Sequence, residues 1–319
     1  MAHEIPHYPV LLSQFLDFFA EIQLVRFLDG TLGAGGHASA LLKEHPEVLH
    51  FIGIDQDPEA LCLAQARLER WRDKVTMIRG NFAEIMNHPE EWNVTLVDGI
   101  ILDLGVSSMQ LDRGERGFSF MREGPLDMRM DPTNPLTAAE IVNEWSEEEL
   151  GRIFRDYGEE PRWRRAAQQI VQARRQKTIT TTEEMKEVLM PILSDPKQKR
   201  QRRIHPMTLV FQALRICVND ELGALQRALP AAINLLNPGG RLGVISFHRL
   251  EDRIVKEYFR FAASDKYDTS GLSGIFIDKK PLVKLLTRKA VKPSETEVAE
   301  NPRCQSAKMR FVEKLEVET

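Results

Sequence analysis

The sequence predicts an α/β fold: an open sheet with a nucleoside cofactor at one edge, interrupted by a helical insertion. Three observations carry this. Phe27-Leu28-Asp29-Gly30-Thr31-Leu32-Gly33-Ala34-Gly35-Gly36-His37 is an apolar run that ends in a carboxylate and then turns through glycines. Two further apolar runs, ending at Asp55 and near Asp103, alternate with helical patterns. Residues 137–215 read as helix throughout, with no strand pattern between them.

The 319 residues, 42% hydrophobic and 28% charged, suit one large domain or two modest ones. The net charge of −4 excludes a generic polyanion binder, so any nucleic-acid contact must come from local basic clusters. Cys62, Cys217 and Cys304 are isolated, without the spacing of a zinc site or a disulfide framework, and a reducing cytoplasm is expected. No metal site is expected either, because no His/Cys/Asp cluster has ligand spacing. Ser13, Gln14 and Asp17 interrupt the apolar run from Pro9 to Ala20, which is therefore not expected to be a signal peptide. No stretch approaches the length of a membrane span, so no membrane partner is expected.

Val25 to Leu28 is the first expected strand, and His37 to Lys43 begins a helix. Glycine between them lets the backbone take positive φ and approach a ligand, whose polar groups meet the free amides of the helix start. Gly33-x-Gly35-x-x-Ala38 fits the relaxed dinucleotide fingerprint, and Asp55, 22 residues past Gly33, suits a ribose hydroxyl pair. The pattern alone does not separate NAD from S-adenosylmethionine, and the absence of a following Gly-Lys-Ser/Thr argues against a P-loop.

Asp57-Pro58 opens a helix with Leu61, Ala64, Leu68 and Trp71 at helical spacing. Val75 to Ile78 is a third strand and Asp98 to Leu104 a fourth, fully buried one. Asp29, Asp55 and Asp103 then fall along one sheet edge, the edge where open α/β sheets bind ligands. Residues 105–135 lack periodicity and hold Gly105, Gly114, Gly117, Gly124, Pro125, Pro132 and Pro135. Their Phe118, Phe120, Met121, Leu126, Met128 and Met130 make the stretch too apolar for a disordered linker, so an ordered lid is expected. Thr137-x-x-Glu140, Ser146-x-x-Glu149 and Thr181-x-x-Glu184 are capping boxes of the inserted helices. Asn219 to Leu236 is a sheet-covering helix that Pro230 should kink. Arg241 to Ser246 is a fifth strand, and Leu282 to Leu286 and Lys308 to Val312 could close the sheet.

Leu102-Asp103-Leu104-Gly105-Val106-Ser107-Ser108-x-Gln110, Gly114-Glu115-Arg116-Gly117-Phe118-Ser119-Phe120 and Gly124-Pro125-Leu126-Asp127-Met128-Arg129-Met130-Asp131 resemble the bacterial small-subunit rRNA cytosine-N4 methyltransferases of the MraW/RsmH type. So do Phe211-Gln212-Ala213-Leu214-Arg215-Ile216-x-Val218-Asn219, Ile245-Ser246-Phe247-His248-x-Leu250-Glu251-Asp252-Arg253-Ile254-Val255-Lys256 and Ala299-Glu300-Asn301-Pro302-Arg303. The match runs from about His7 to Arg310. It implies a Rossmann-like class I methyltransferase with a seven-stranded, mostly parallel sheet whose penultimate stretch forms the reversed strand. Residues 1–105 with 216–319 would form the core, and 106–215 a lid loop and helical insertion for substrate recognition. It also implies S-adenosylmethionine as donor and, as acceptor, a cytidine N4 amine in the decoding region of small-subunit (16S) rRNA within the 30S particle; a homodimer is compatible with it. By the family pattern Gly35, Gly36, His37, Asp55, Phe82, Asp103 and Gln110 contact the cofactor, with Gly33 in the same turn. Arg249, Leu209 and Cys304 depart from the family's usual residues, and none touches the glycine turn.

The cytosine amine is a poor nucleophile, so catalysis needs in-line positioning and an acceptor for its protons. Asp103, Ser107 and Ser108, after the fourth strand, are the candidate acceptors; otherwise Asp103 is a helix cap. His248 lies at the same edge and either bonds the base or serves structure. For His37 the backbone amide is expected to matter more than the ring, and Glu251 and Asp252 are expected to start a helix. Methylation at ring carbon five would need a cysteine at the edge, and none is expected there. Phe82 is placed on an adenine face or in the core, and Phe118 and Phe120 either stack on a splayed base or pack under the lid. Arg162, Arg164, Arg165 and Arg175 fall mostly opposite the apolar Trp163, Ala166, Ala167, Ile170 and Val171 face of a helix, and Lys197-x-Lys199-Arg200-x-Arg202-Arg203 puts five positive charges in seven residues. Arg162, Arg165, Lys199, Arg200, Arg202 and Arg203 are the expected RNA contacts. An NAD-dependent oxidoreductase and a non-catalytic ribosome-assembly factor remain alternatives on the residues alone.

Overall fold

The computed structural model describes residues 9–194, 205–267 and 277–316. In chain order, α1 (Leu12–Phe19), β1 (Arg26–Asp29), α2 (Gly36–Glu44), β2 (His50–Asp55), α3 (Pro58–Leu68), β3 (Val75–Arg79), α4 (Phe82–Asn87) and β4 (Val97–Asp103) come first. Then α5 (Ser108–Asp112), α6 (Ala138–Glu144), α7 (Glu147–Asp156), α8 (Trp163–Arg174), α9 (Thr182–Leu193) and α10 (Met207–Asn219) follow without a strand. The chain ends with α11 (Glu221–Leu235), β5 (Leu236–Ser246), α12 (Arg249–Ala263), the two-residue strands β6 (Lys266–Tyr267) and β7 (Ile277–Asp278), β8 (Val283–Leu285), α13 (Glu295–Glu300) and β9 (Lys308–Lys314).

Seven strands form one sheet in the order β3-β2-β1-β4-β5-β9-β8, and β6 and β7 form a separate ribbon. Strands β1 to β5 are parallel, while β9 runs antiparallel to β5, and β8 antiparallel to β9. The reversed strand is therefore the last stretch of the chain and not the penultimate one. It enters between β5 and β8 because β9, not β8, continues the apolar register, with Met309, Phe311 and Val312 buried.

The central strands are apolar on both faces because both faces are covered. Leu28, Ile100, Leu102 and Val244 join the core beneath α11 and α12, while Phe27, Phe51, Ile101 and Ile245 join the core beneath α1, α2 and α3. That split is the two-residue alternation of a strand. Glycine at position 99 makes room for it: a Cβ there would stand 2.6 Å from the Phe27 ring. Helix α11 continues through Pro230, although the proline removes one backbone donor, because its apolar face is buried on the sheet.

Packing divides the chain into residues 1–105 with 222–319 and residues 106–221. The second boundary falls at 221 and not at 215 because α10 packs on α6, α7 and α9. All three expected capping boxes form, at Thr137/Glu140, Ser146/Glu149 and Thr181/Glu184. Residues 105–135 are ordered, and α5 and a short turn at Gly114–Arg116 interrupt them, both too brief to show periodicity. Phe118, Leu126, Met128 and Met130 are buried in the core of the inserted unit. Phe120, half-buried, stacks on His205 and meets Phe211 edge-on, so in this structure both phenylalanines pack against the inserted unit's core.

Asn219 locks this stretch. Its amide donates to Met128 O (2.8 Å) and Arg215 O (2.9 Å), and its Oδ1 accepts from Met130 N (2.8 Å). Met128 sits at φ 62, a left-handed conformation that costs a side-chain-bearing residue energy and needs such support. Asn219→Ala leaves buried donors and acceptors unpaired and should cost about 2–3 kcal/mol. The checks are a lowered melting temperature and faster proteolysis within 116–136; an unchanged melt would show that the clamp contributes nothing.

Candidate active site

Four parallel strands bring their carboxyl ends to one edge of the core unit, carrying Asp29 (β1), Asp55 (β2), Asp103 (β4) and Ser246-Phe247-His248 (β5). Backbone amides and one hydroxyl tie the acids in place. Asp29 Oδ1 accepts from Thr31 N (3.0 Å), and Thr31 Oγ1 accepts from Asp103 N (2.6 Å). Asp55 accepts from Gly33 N (2.8 Å) and Asp57 N (2.9 Å), joining the glycine turn to the end of β2. Gly33 and Gly35 take φ 53 and 75, and α2 begins at Gly36 with no side-chain cap. Its first amides are thereby left to a ligand.

Burial dominates the electrostatics of this edge. It pushes Asp29 up to about 7, with Asp55 nearby adding to the rise, and Asp55 up to about 6. Asp103 is raised well above the usual carboxylate range by burial and by the neighbouring charges of Asp29 and Glu251. A quarter of the Asp103 side chain remains open, yet its Oδ1 is fully buried without a hydrogen-bond partner. Asp103 caps no helix; Ser107 does that for α5.

The His37 ring departs from expectation. It is buried against Phe15, and its Nε2 bonds Val10 O at 3.0 Å. A carbonyl only accepts, so Nε2 carries the proton and Nδ1 presents a lone pair, 3.6 Å from Asp103 Oδ2. Burial holds this imidazole down at about 4, hence neutral. The packing of α1 on α2 thus fixes the ring's orientation and tautomer.

His248 is the N-cap of α12. Its Nδ1 accepts from Glu251 N (3.4 Å), and the Glu251 carboxylate accepts from the His248 and Phe247 amides. Nε2 lies 3.2 Å from Glu251 Oε1 but out of line for a hydrogen bond, and it is buried without one. Glu251 and Asp252 do begin the helix, where Asp252 pairs with Lys308 (3.0 Å) and Arg310 (2.8 Å) of β9. Phe82 starts α4 behind its Asn81 cap, half-buried beside Gly30.

Ser107, Ser108 and Gln110 belong to the inserted unit. Ser107 Oγ accepts from Gln110 N (3.3 Å) and Gln110 Oε1 from Ser107 N (3.0 Å), so both serve as a capping box, and Ser108 is half-buried in the first turn of α5. Arg162 is not a free surface cation: its guanidinium donates to Ile192 O (2.7 Å). Arg165 is exposed. Lys199, Arg200, Arg202 and Arg203 lie outside the described residues. Residues 106–221 carry 19 Lys and Arg against 19 Asp and Glu, so the insertion as a whole is neutral.

Residues 4–315 match the model of the MraW methylase family. The chain belongs to that family. It is 55% identical over 313 residues to ribosomal RNA small subunit methyltransferase H of Protochlamydia amoebophila, covering 98% of each chain. It is 47% identical to the protein of that name from Symbiobacterium thermophilum, covering 97% of each, and 44% identical to that from Chlamydia caviae, covering 98% of this chain and 99% of the other. The methylase uses S-adenosylmethionine, and the oxidoreductase and binding-only alternatives find no support. Among the described residues, no helix is long and apolar enough to cross a membrane.

The residues fit this cofactor. Glycines with left-handed backbone open the turn, uncapped amides would hold a carboxylate, and crowded acids with an orphaned oxygen would favour a cation. For Asp29, Asp55 and Asp103 the folded pKa lies above the unfolded one, so the folded state holds the extra protons. Their contribution falls as pH rises, and above about 6.5 the depressed His37 no longer opposes it. The free methylase should therefore lose thermal stability as pH rises through about 6 and 7. S-adenosylmethionine, positively charged at sulfur, should raise the melting temperature more at pH 8 than at pH 6, and S-adenosylhomocysteine should show less of this trend. Identical pH profiles for the two would refute the charge argument.

The Gly35 turn gives a second check. A Cβ there meets Leu68 at an ordinary 3.4 Å, so the obstacle to Gly35→Ala is its φ of 75. The strain should cost about 1–2 kcal/mol. Thermal melting should fall with a loss of cofactor affinity in calorimetry, and wild-type values for both would dismiss the constraint.

Proposed function

We propose that the protein methylates the N4 amine of a cytidine in small-subunit rRNA, with Asp103 as the acidic group at the reacting centre and the assembled 30S particle as substrate. The names of the relatives support the RNA class, and the orphaned, partly open Asp103 carboxyl carries the residue assignment. When bound, S-adenosylmethionine supplies an electrophilic methyl group.

Methylating an amine releases a proton, which needs an acceptor at the reacting centre. Asp103, with a quarter of its side chain open, is the acceptor when ionised, and burial and two neighbouring acids raise its proton affinity. His37 Nδ1, held neutral and oriented through Val10, faces Oδ2 and stabilises the protonated form. His248 lies at the same edge, its Nε2 buried without a hydrogen bond. Ser107 and Gln110 act by fixing the start of α5.

The cysteines favour amine over ring-carbon chemistry. Cys62 is exposed on α3, Cys304 is buried in the turn Pro302–Ser306, and Cys217 of α10 is pushed up to about 11 by burial. None stands at a strand end, and a thiol kept protonated is a poor nucleophile.

The decisive experiment transfers labelled methyl from S-adenosylmethionine to unmodified small subunits and identifies the product nucleoside. Label in N4-methylcytidine is expected; label in another nucleoside would discard the target. Asp103→Asn should lower turnover at least about 100-fold while holding or raising the melting temperature, because it removes a crowded buried acid. Retained turnover would remove Asp103 from the mechanism.

A further inference from the structure

The outer edge of the sheet carries cations that the methyl-transfer site does not use. Strand β8 is the edge strand, and the chain after it keeps running along β9. Lys284 is in register with Glu313, Leu285 with Val312, and Val291 with Met309. In the next strand Met309 pairs with Ile245, so residues 284–291 climb the outer edge to the level of the strand ends that carry Asp103 and His248. At one strand's rise per residue, the four-residue span of β9 from 313 to 309 is about 13 Å.

Lys284, Arg288, Lys289 and Lys292 are all exposed along this path. No acid occurs between Leu282 and Ser294. Glu313, opposite Lys284, is held by Arg241 at 3.1 Å. Among the described residues none of the four forms an ion pair. A lysine on an edge strand commonly guards against strand pairing, which accounts for Lys284. It does not account for Arg288, Lys289 and Lys292, which lie beyond β8. The charge is local to this strip, which holds four cations and no acid between Leu282 and Ser294.

We propose that Lys284, Arg288, Lys289 and Lys292 form a track for the phosphate backbone of the RNA strand flanking the target nucleotide, leading it to the strand-end edge. This rests on the reading of the substrate as RNA. Exposed cations of this kind position a strand without reading its bases, and each phosphate they neutralise releases counterions.

The test replaces all four by glutamine and compares wild type and variant in binding small-subunit rRNA across a potassium chloride series. The expected result is affinity lower by about 10- to 100-fold at low salt. The slope of log affinity against log salt should be shallower by about 2–3, at roughly 0.7 per phosphate contact. Melting temperature and S-adenosylmethionine affinity should be unchanged. An unchanged slope alongside normal wild-type methyl transfer overturns the track and leaves the function standing. A reduced slope in the variant, when the wild type fails to methylate small subunits, overturns the function and leaves the track. Four-cation-dependent binding to phosphatidylserine vesicles, with no effect on RNA, would assign the strip to a lipid surface and overturn the proposal.

Discussion

Three carboxyl groups are buried within reach of one another at the strand ends, and most of the core's local structure can be traced to that crowding. Taking a carboxylate out of water is expensive, and a like charge nearby adds to the cost. The chain answers with donors: Thr31 N for Asp29, Gly33 N and Asp57 N for Asp55. Asp103 is the exception, with one oxygen left unmatched beside a histidine that is held neutral. The least satisfied group is therefore the one at the mouth of the edge, where unspent binding capacity can serve a ligand and a reaction.

The glycine turn follows from the same constraint. Asp55 can bond Gly33 N only if the backbone doubles back, which the left-handed conformations of Gly33 and Gly35 permit. The turn that satisfies one acid also leaves the amides of α2 uncapped. Acid satisfaction and cofactor cradle are thus one piece of backbone, and a residue with a side chain at Gly35 strains both.

Charge is distributed by depth. Acids sit at the strand ends, where burial raises their proton affinity. The unpaired cations sit outside, along β8 and the chain that follows it. The order of the inserted unit comes from caps and clamps: three capping boxes, the Asp127–Arg129 fork at 2.8 Å and the Asn219 bonds. Much of what marks the long motifs around residues 114–131 serves this internal scaffolding.

The sequence by itself determined the parts whose cause is local. Apolar runs flanked by helical periods fixed the strands, Thr-x-x-Glu and Ser-x-x-Glu spacing fixed three helix starts, and the glycines and three acids marked the ligand edge, because each depends on residues a few positions apart. The family followed from long motifs, and the match over residues 4–315 agrees with it. Only the tertiary structure decided what distant segments do to one another. It put β9 between β5 and β8, buried the His37 ring under Phe15, tied Arg162 to Ile192, turned Phe118 inward and left Lys284 to Lys292 unopposed. Burial and partner choice are properties of what packs around a group, and no spacing along the chain encodes them.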